Sequence, residues 1–280
     1  MKQFLLKEEP DKKGVVRLRD EDYHYLVNVR RLKPGNVFTA SLPGNSSASA
    51  PVTLTVLSIG THILTASVGK KQPASIVKQE TFLPAIILFQ ALPKGTKMDL
   101  IVRQAAEAEI AEVVPFVSEY SIPKKNPGDK RAERWRRIVK EARQQSGSAV
   151  ATAIHEVLET GELFDYWQKL QTANQTPAEA LGLILSPLTA MESAGALISH
   201  SPLAQGGFHR YLYKKPSLLV LAVGPEGGFS GGELKRFIET GFKAINLGNT
   251  VLRTETAAIY GIAAAKIILM ERAWWKAALQ

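Results

Sequence analysis

The chain has 280 residues, of which 45% are hydrophobic and 22% charged, and its formal net charge is +9. These values are typical of a soluble globular protein with one or two domains. Because the chain contains no cysteine, disulfides, thiolate zinc sites and iron–sulfur clusters are excluded. No apolar run reaches the ~20 residues of a membrane span, and the five histidines show no metal-ligand spacing. We therefore expect a cytoplasmic protein with no membrane partner and no metal.

The positive charge is concentrated in two stretches. Residues 1–75 contain eleven lysines and arginines against six aspartates and glutamates, and residues 124–143 contain nine against three. Basic patches of this kind suit a polyanion such as RNA, because neutralising phosphates releases counterions. A merely solubilising surface is the alternative interpretation.

The first part of the chain has the pattern of a small β domain. Short β-branched segments are separated by Pro, Gly, Asn and Ser turns, which predicts an antiparallel barrel or sandwich. The predicted strands are 37–41, 52–58 and 63–68, with a short helix at 20–32 and a linker at 69–80. We place this first domain at residues 1–74.

From about residue 83 onward, predicted strands alternate with predicted helices. The strands are 85–90, 113–117, 181–185, 218–223 and 244–247, and the helices are 97–111, 130–145, 155–171, 230–240 and 254–279. This alternation predicts an α/β domain at 75–280, with a mostly parallel sheet flanked by helices. Ligands of such sheets bind at the carboxyl ends of the strands.

The last predicted helix is apolar nearly all round. Its residues 257–270 read AAIYGIAAAKIILM, and a helix of this composition is buried, either inside its own domain or in an interface. The many small residues favour an interface between two copies of the chain.

A glycine-rich stretch follows the apolar strand predicted at 218–223. Residues 221–234 read LAVGPEGGFSGGEL, in which Ser230 and Glu233 have capping-box spacing and Phe229 and Leu234 have staple spacing. Neither a Walker loop nor a GxGxxG fingerprint is present, and Glu226 is expected to repel a pyrophosphate. A neutral or cationic ligand such as S-adenosylmethionine fits better, although a tight turn before a capped helix is the simpler alternative.

A second junction between a strand and a helix lies at residues 247–258, which read LGNTVLRTETAA. Thr254 is the predicted N-cap, with Glu255 in the first turn, where the helix dipole favours an anion. Arg253 is electrostatically disfavoured at this position. It therefore needs a compensating carboxylate, either Glu255 or Glu226, or an anionic substrate.

The two junctions together resemble the motifs of the RsmE-type methyltransferases of the SPOUT superfamily. The segments LPKGTKMDLIVRQAAEAEI at 92–110 and ERW…EARQQS at 133–146 are similar to the middle motifs of that family. The resemblance implies a C-terminal SPOUT-type knotted sheet, preceded by a PUA-like β-barrel that binds RNA. It also implies a homodimer that uses S-adenosylmethionine to methylate N3 of a uridine in 16S ribosomal RNA of the small ribosomal subunit.

The resemblance assigns roles to individual residues. Expected at the cofactor are Leu185, Ser186, Gly224, Pro225, Glu226, Gly227, Leu247, Gly248, Val251 and Leu252. Expected nearest the target base are Arg253, Glu255 and Thr256. Arg253 would stabilise negative charge on a uracil oxygen, and Glu255 would accept the proton. Candidates for RNA binding in the basic stretches are Arg30, Arg31, Lys33, Arg134 and Arg137.

The chain also departs from the family pattern. Where K-A-T-E-L-G is usual, residues 104–109 read QAAEAE, so that Gln104 and Glu109 replace a lysine and a glycine. Ser148 and Thr250 stand where arginine is usual, and Thr152 where proline is usual. These losses leave a second hypothesis open, an RNA- or ribosome-binding paralogue with a vestigial pocket. A small-molecule enzyme fits the charge less well.

Overall fold

The computed structural model describes residues 4–42, 52–69, 83–126, 130–173, 180–187, 190, 207–213 and 216–278. Within these ranges, no helix has the length and apolar character needed to cross a membrane. The chain divides into two compact units, Met1–Glu80 with Glu141–Ala151, and Thr81–Lys140 with Thr152–Gln280. The domain boundary predicted between residues 74 and 75 lies outside the described residues.

The first unit is built on a five-stranded sheet. Its strands are β1 (Phe4–Leu5), β2 (Val15–Arg19), β3 (Val37–Ser41), β4 (Val52–Gly60) and β5 (Ile63–Val68), in the order β1-β3-β4-β5-β2. All neighbours are antiparallel except β1 and β3. A short helix α1 (Asp20–Tyr23) continues into a π-helical segment, His24–Val29. The three predicted strands are confirmed, β1 and β2 were not predicted, and the helix ends before residue 32.

Alternation along β4 explains how this sheet makes a core. Val52, Leu54 and Val56 are buried, whereas the residues between them are exposed or only half-buried, as the period of two in a strand requires. Leu57, next along the strand, is exposed as the same alternation requires, and the register shifts between Val56 and Ser58.

The second unit contains a sheet in which every pairing is parallel. Its strands are β6 (Ala85–Ala91), β7 (Glu112–Val117), β8 (Ala153–Ile154), β9 (Leu158–Glu159), β10 (Ala180–Leu185), β11 (Leu218–Val223) and β12 (Lys243–Ile245). The order is β12-β10-β11-β6-β7-β8, and β9 also pairs with β7. All six residues of β11 are buried, as its unbroken apolar run predicted.

Helices alternate with these strands. They are α2 (Lys97–Glu107), α3 (Arg131–Ser146), α4 (Thr160–Ala173), α5 (Phe208–Leu212), α6 (Gly231–Glu239) and α7 (Thr254–Ala278). The helix predicted at 155–171 begins later, because β9 pairs with Phe116 and Val117 before the chain turns into α4. The Thr160 hydroxyl then donates to the Val117 carbonyl at 2.7 Å.

Helix α2 is shorter than the predicted range 97–111 because it ends in a Schellman motif. The Ile110 N–H donates to the Ala105 carbonyl, and the Glu109 N–H donates to the Ala106 carbonyl, which is the paired pattern of that motif. Glu109 has φ +59°, a conformation that glycine adopts without strain. This glutamate is the residue that replaces the glycine usual in the RsmE-type pattern.

The predicted fold class is confirmed, since a mostly parallel α/β sheet with flanking helices follows a separate, mainly antiparallel β unit. In the second unit, α7 packs close to β10. A Cβ added at Gly261 would lie 2.3 Å from Leu185 Cδ1, so the glycine permits this approach. The threading that would make the sheet knotted stays a prediction.

Candidate active site

A cavity lies at the carboxyl ends of three neighbouring strands. β12, β10 and β11 are adjacent and parallel, so the loops that follow them emerge at one edge of the sheet. The lining residues are Leu185, Ser186, Pro187, Val223, Gly224, Pro225, Glu226, Gly228, Phe229, Asn246, Leu247, Thr250, Val251, Leu252, Thr254 and Ala257. The two motif-bearing junctions of the sequence therefore meet in one cavity, where ligands of parallel sheets bind.

Most of the residues predicted to hold a cofactor line this cavity. They are Leu185, Ser186, Gly224, Pro225, Glu226, Leu247, Val251 and Leu252. Gly227 and Gly248 are not among the lining residues, and Gly228 contributes to the wall instead.

The glycine-rich loop is a compact turn fixed at both ends. The Gly228 N–H donates to the Pro225 carbonyl at 2.9 Å. A Cβ added at Gly224 would lie 3.1 Å from the Gly228 carbonyl carbon, so the closeness of the two backbone segments favours glycine there. The predicted capping box is confirmed, because Ser230 accepts from the Glu233 N–H and Glu233 accepts from the Ser230 N–H.

Thr254 connects the start of α7 to the glycine-rich loop. Its hydroxyl donates to the Gly224 carbonyl at 2.6 Å and accepts from Gln90 Nε2 at 3.0 Å. The prediction that Thr254 is the N-cap was wrong, since the Arg253 carbonyl accepts from the Ala257 N–H and Thr254 is already helical. The threonine instead fixes the position of one motif relative to the other.

Glu226 is held by the segment that leads into α2. Lys97 Nζ lies 2.5 Å from Glu226 Oε1, and the Lys94 N–H donates to the same carboxylate at 3.1 Å. Burial would raise the pKa of Glu226, but the hydrogen bond from Lys97 and the backbone N–H groups of Glu226 and Lys94 hold it below its usual value. The carboxylate is thus kept ionised and paired.

This pairing corrects the interpretation of Glu226 as a charge that would repel a pyrophosphate, since Lys97 already offsets it. The exclusion of phosphate now depends on the wall itself. No lysine or arginine is present among the lining residues. Elsewhere in the described ranges, no group of three or more His, Asp or Glu residues could hold a metal ion.

The three residues predicted to lie nearest the target base are at the start of α7, with Arg253 immediately before its first residue. Arg253 and Thr256 are exposed, and Arg253 forms no ion pair with Glu226 or Glu255, the two carboxylates that the sequence suggested. The Glu255 side chain is only 14% exposed, and its Oε2 lies 4.0 Å from Lys97 Nζ. Within the part of the chain described, this Oε2 has no hydrogen-bond partner.

The candidates for RNA binding differ in how available they are. In the first unit, Arg31 and Lys33 are exposed, whereas Arg30 is half-buried and its Nη1 is buried without a partner in the described ranges. In the second unit, Arg137 is exposed, but Arg134 is already paired with Asp99. Arg134 is therefore the least available of the set.

Sequence reasoning missed two residues that organise the site. Lys97 pairs with Glu226 and approaches Glu255, and Gln90 is fully buried and bonded to Thr254. Lys97 belongs to the LPKGTK segment that the resemblance had singled out, and this segment was the available signal. Gln90 is the penultimate residue of an otherwise apolar strand, where a buried polar side chain needs a partner.

Comparisons with known proteins agree with this geometry. A relative, ribosomal RNA small subunit methyltransferase E 2 of Borreliella burgdorferi, is 27% identical over 96% of this chain and 98% of its own. The corresponding enzyme of Bacillus subtilis is 25% identical over 93% of each chain. A crystal structure of ribosomal RNA small subunit methyltransferase E from Neisseria gonorrhoeae, bound to S-adenosyl methionine, is 25% identical. It superimposes with a TM-score of 0.69 over 96% of this chain and 98% of that one.

Two family models match the sequence of this chain. The model of the RNA methyltransferase PUA domain matches residues 18–46, in the first unit. The model of the RNA methyltransferase domain matches residues 80–266, which include the whole cavity and both motifs. The chain therefore belongs to the RNA methyltransferase family.

Proposed function

We propose that this protein transfers a methyl group from S-adenosylmethionine to N3 of a uridine in 16S ribosomal RNA of the small ribosomal subunit. The observation that carries the proposal is the meeting of the glycine-rich loop and the 246–252 loop in one cavity at the strand ends. The names of the related enzymes support a ribosomal RNA substrate. The choice of uridine N3 rests on the resemblance to the RsmE-type motifs.

The chemistry of the cavity fits S-adenosylmethionine. Its wall is largely apolar and carries no lysine or arginine, which suits an adenine ring and a sulfonium and disfavours a nucleotide phosphate. The residues that would hold the cofactor are Leu185, Ser186, Gly224, Pro225, Glu226, Leu247, Val251 and Leu252, with Gly228 in place of Gly227. S-adenosylmethionine supplies an electrophilic methyl group when bound.

The residues at the start of α7 would act on the uracil. Its imide nitrogen must lose a proton before it can be methylated, and the negative charge then spreads onto the ring oxygens. Arg253, exposed and unpaired with Glu226 or Glu255, would stabilise that charge. Glu255, whose Oε2 has no hydrogen-bond partner in the described ranges, would receive the proton. Exposed Thr256 would contact the base.

The RNA would be held by basic residues of both units. Arg31, Lys33 and Arg137 are exposed and would contact phosphates, which makes binding depend strongly on salt. Arg30 and Arg134 stay in the proposed set, although Arg134 must leave Asp99 to contribute. We also propose that the enzyme acts in the cytoplasm, which the related ribosomal RNA methyltransferases of bacteria support.

We also propose a homodimer formed through α7. Ala258, Ile262, Ala265 and Leu269 are buried within the chain. Other large apolar residues of the helix are exposed, namely Tyr260 (54%), Ile267 (53%) and Met270 (37%). An apolar helix face that is exposed to solvent in one copy is best buried against a second copy.

The competing function is RNA or ribosome binding without methylation. It is favoured by three neutral residues at positions where lysine or arginine is usual in the family pattern, namely Gln104, Ser148 and Thr250. Thr250 bears on the site most directly, because it lines the cavity.

One experiment separates the two functions. The protein is incubated with radiolabelled S-adenosylmethionine and either transcribed 16S RNA or small subunits, and nucleosides of the digested RNA are identified by mass spectrometry. Labelled 3-methyluridine at one position is the expected product. Cofactor binding and RNA binding without labelled RNA would establish the competing function, and a different methylated nucleoside would overturn the choice of N3.

A further inference from the structure

A rigid turn at the end of β7 places an aromatic ring beside the glycine-rich loop. Ser118 and Ser121 are buried and bonded to each other, through Ser118 N–H to Ser121 Oγ at 3.2 Å and Ser121 N–H to the Ser118 carbonyl at 2.9 Å. Glu233 of the capping box accepts from the Ser118 hydroxyl and the Glu119 N–H, both at 3.0 Å. The turn is therefore fixed from both sides.

Tyr120 is the large aromatic residue that this turn presents to solvent, next to exposed Glu119. It is 51% exposed, and Ser121, which follows it, is buried. A Cβ added at Gly227 would lie 3.0 Å from Tyr120 Cβ and 3.6 Å from its Cδ2. The ring thus stands against the backbone of Gly227, between Glu226 and Gly228, which both line the cavity.

The local packing gives Tyr120 no structural role that accounts for its position. The tyrosine makes no ring contact and no hydrogen bond with the residues that the structure describes. The Cβ of Tyr120 lies against Gly227, but about half of the tyrosine surface is exposed to solvent. A large aromatic side chain held on a fixed turn at the rim of a ligand cavity is positioned to pack against a bound ligand.

We propose that Tyr120 is the stacking platform for an unpaired base of the RNA substrate at the mouth of the cavity. This inference rests on the proposed function and extends it to substrate recognition. Proteins that read single-stranded RNA stack bases on aromatic side chains, and enzymes that modify a base in a stacked helix must first extrude it. The tyrosine ring carries no charge that could pair with a phosphate, so the contact it offers RNA at this rim is a stack on a base.

The energetic role follows from the cost of removing a base from its stack. Unstacking and unpairing cost a few kcal/mol, and stacking on a tyrosine recovers part of that cost. Because the turn is already rigid, little conformational entropy is lost when the base binds. Tyr120 thus favours RNA in which the target is unpaired or easily unpaired.

The first test uses four variants of the full-length protein with transcribed 16S RNA. Tyr120→Ala should lower kcat/KM roughly tenfold or more, the scale of one base–aromatic stack. Tyr120→Phe should stay within about twofold of wild type, and Tyr120→Leu should resemble Tyr120→Ala, because stacking needs the ring and not the hydroxyl. Ile122→Ala is the matched control, since Ile122 is 63% exposed two residues further along, and it should retain wild-type kcat/KM.

The second test does not depend on turnover. Transcribed 16S RNA with 4-thiouridine in place of uridine is irradiated with the protein, and cross-linked peptides are identified by mass spectrometry. An adduct on Tyr120 is expected, together with weaker RNA binding by Tyr120→Ala and unchanged S-adenosylmethionine affinity by calorimetry.

Two results would overturn the inference. The first is a Tyr120→Ala variant with wild-type RNA affinity and kcat/KM. The second is a Tyr120→Ala variant with a changed mass in light scattering, which would make the ring a contact between copies. If wild type methylates no RNA, the proposed function fails, but cross-linking and RNA affinity still decide whether Tyr120 stacks on a base.

Discussion

Lys97 Nζ lies 2.5 Å from Glu226 Oε1 across 129 residues of sequence, and this pair joins the start of α2 to the glycine-rich loop. The same ammonium is 4.0 Å from Glu255 Oε2. A single lysine therefore lies between a residue of the proposed cofactor cavity and the proposed proton acceptor. Its loss leaves both carboxylates without their nearest cation.

Lys97→Met should loosen the glycine-rich loop and weaken S-adenosylmethionine binding about fivefold. Because Lys97 and Glu226 are 34% and 27% exposed, we discount the pair to roughly 1 kcal/mol. Isothermal calorimetry measures the affinity. Lys125→Met is the control, since it removes a pair of 2.7 Å with Glu162, and its affinity should not change. Equal affinities for both variants and wild type would contradict a positioning role for Lys97.

The pairing of Glu226 should also make stability depend on pH. Its folded pKa is lowered from 4.5, so its contribution is fully present above about pH 4.5 and is lost as the pH falls through the folded pKa. The difference in unfolding free energy between wild type and Glu226→Gln should therefore shrink between pH 6 and pH 3. Urea unfolding measures this difference. Glu239→Gln, in an exposed pair with Lys235, should differ little from wild type at any pH.

Arg253→Ala should separate cofactor binding from methyl transfer. We expect S-adenosylmethionine affinity within a few-fold of wild type, and single-turnover methylation slower by roughly two orders of magnitude, the scale of removing one charge-stabilising donor. Arg253→Lys should recover only part of the rate, because an ammonium lacks the planar fork. The control is Arg103→Ala, another exposed arginine. Since Arg253 makes no ion pair with Glu226 or Glu255, the melting temperature of Arg253→Ala should hardly change. A destabilised but fully active Arg253→Ala would refute a role of Arg253 in methyl transfer.

Glu109→Gly should stabilise the protein by about 1 kcal/mol, because a non-glycine residue at φ +59° is strained. The lost contact between Glu109 and Lys266, 3.2 Å long, is partly exposed, and Lys266 keeps its bond to the Ala108 carbonyl. Glu109→Ala is the control, since it removes the carboxylate and keeps the strain. Thermal melting of both variants measures the difference in stability. A Gly variant no more stable than the Ala variant would show that the strain at residue 109 is negligible.

Ile267→Asp should convert the proposed homodimer to a monomer, because it places a charge on the exposed apolar face of α7. Light scattering at micromolar concentration gives the mass. Leu57→Asp is the matched control, since Leu57 is 51% exposed and Ile267 53%, and Leu57 lies in the first unit. A wild-type monomer would contradict the dimer outright.

The sequence by itself determined the features that depend on neighbouring residues. The unbroken apolar run at 218–223 indicated a buried strand, and Ser230 with Glu233 specified the start of α6. The pair of junction motifs was enough to indicate the family and most of the cavity wall, because each strand of a parallel sheet delivers its following loop to the same edge.

Only the tertiary structure decided which distant groups meet. Lys97 with Glu226, and Gln90 with Thr254 across 164 residues, are set by the placement of β6 next to β11, which no local pattern encodes. The same holds for Tyr120 beside Gly227, since the turns after β7 and β11 approach each other only once the sheet is assembled. Charge pairing and close contact depend on separation in space, and the strand order determines that separation.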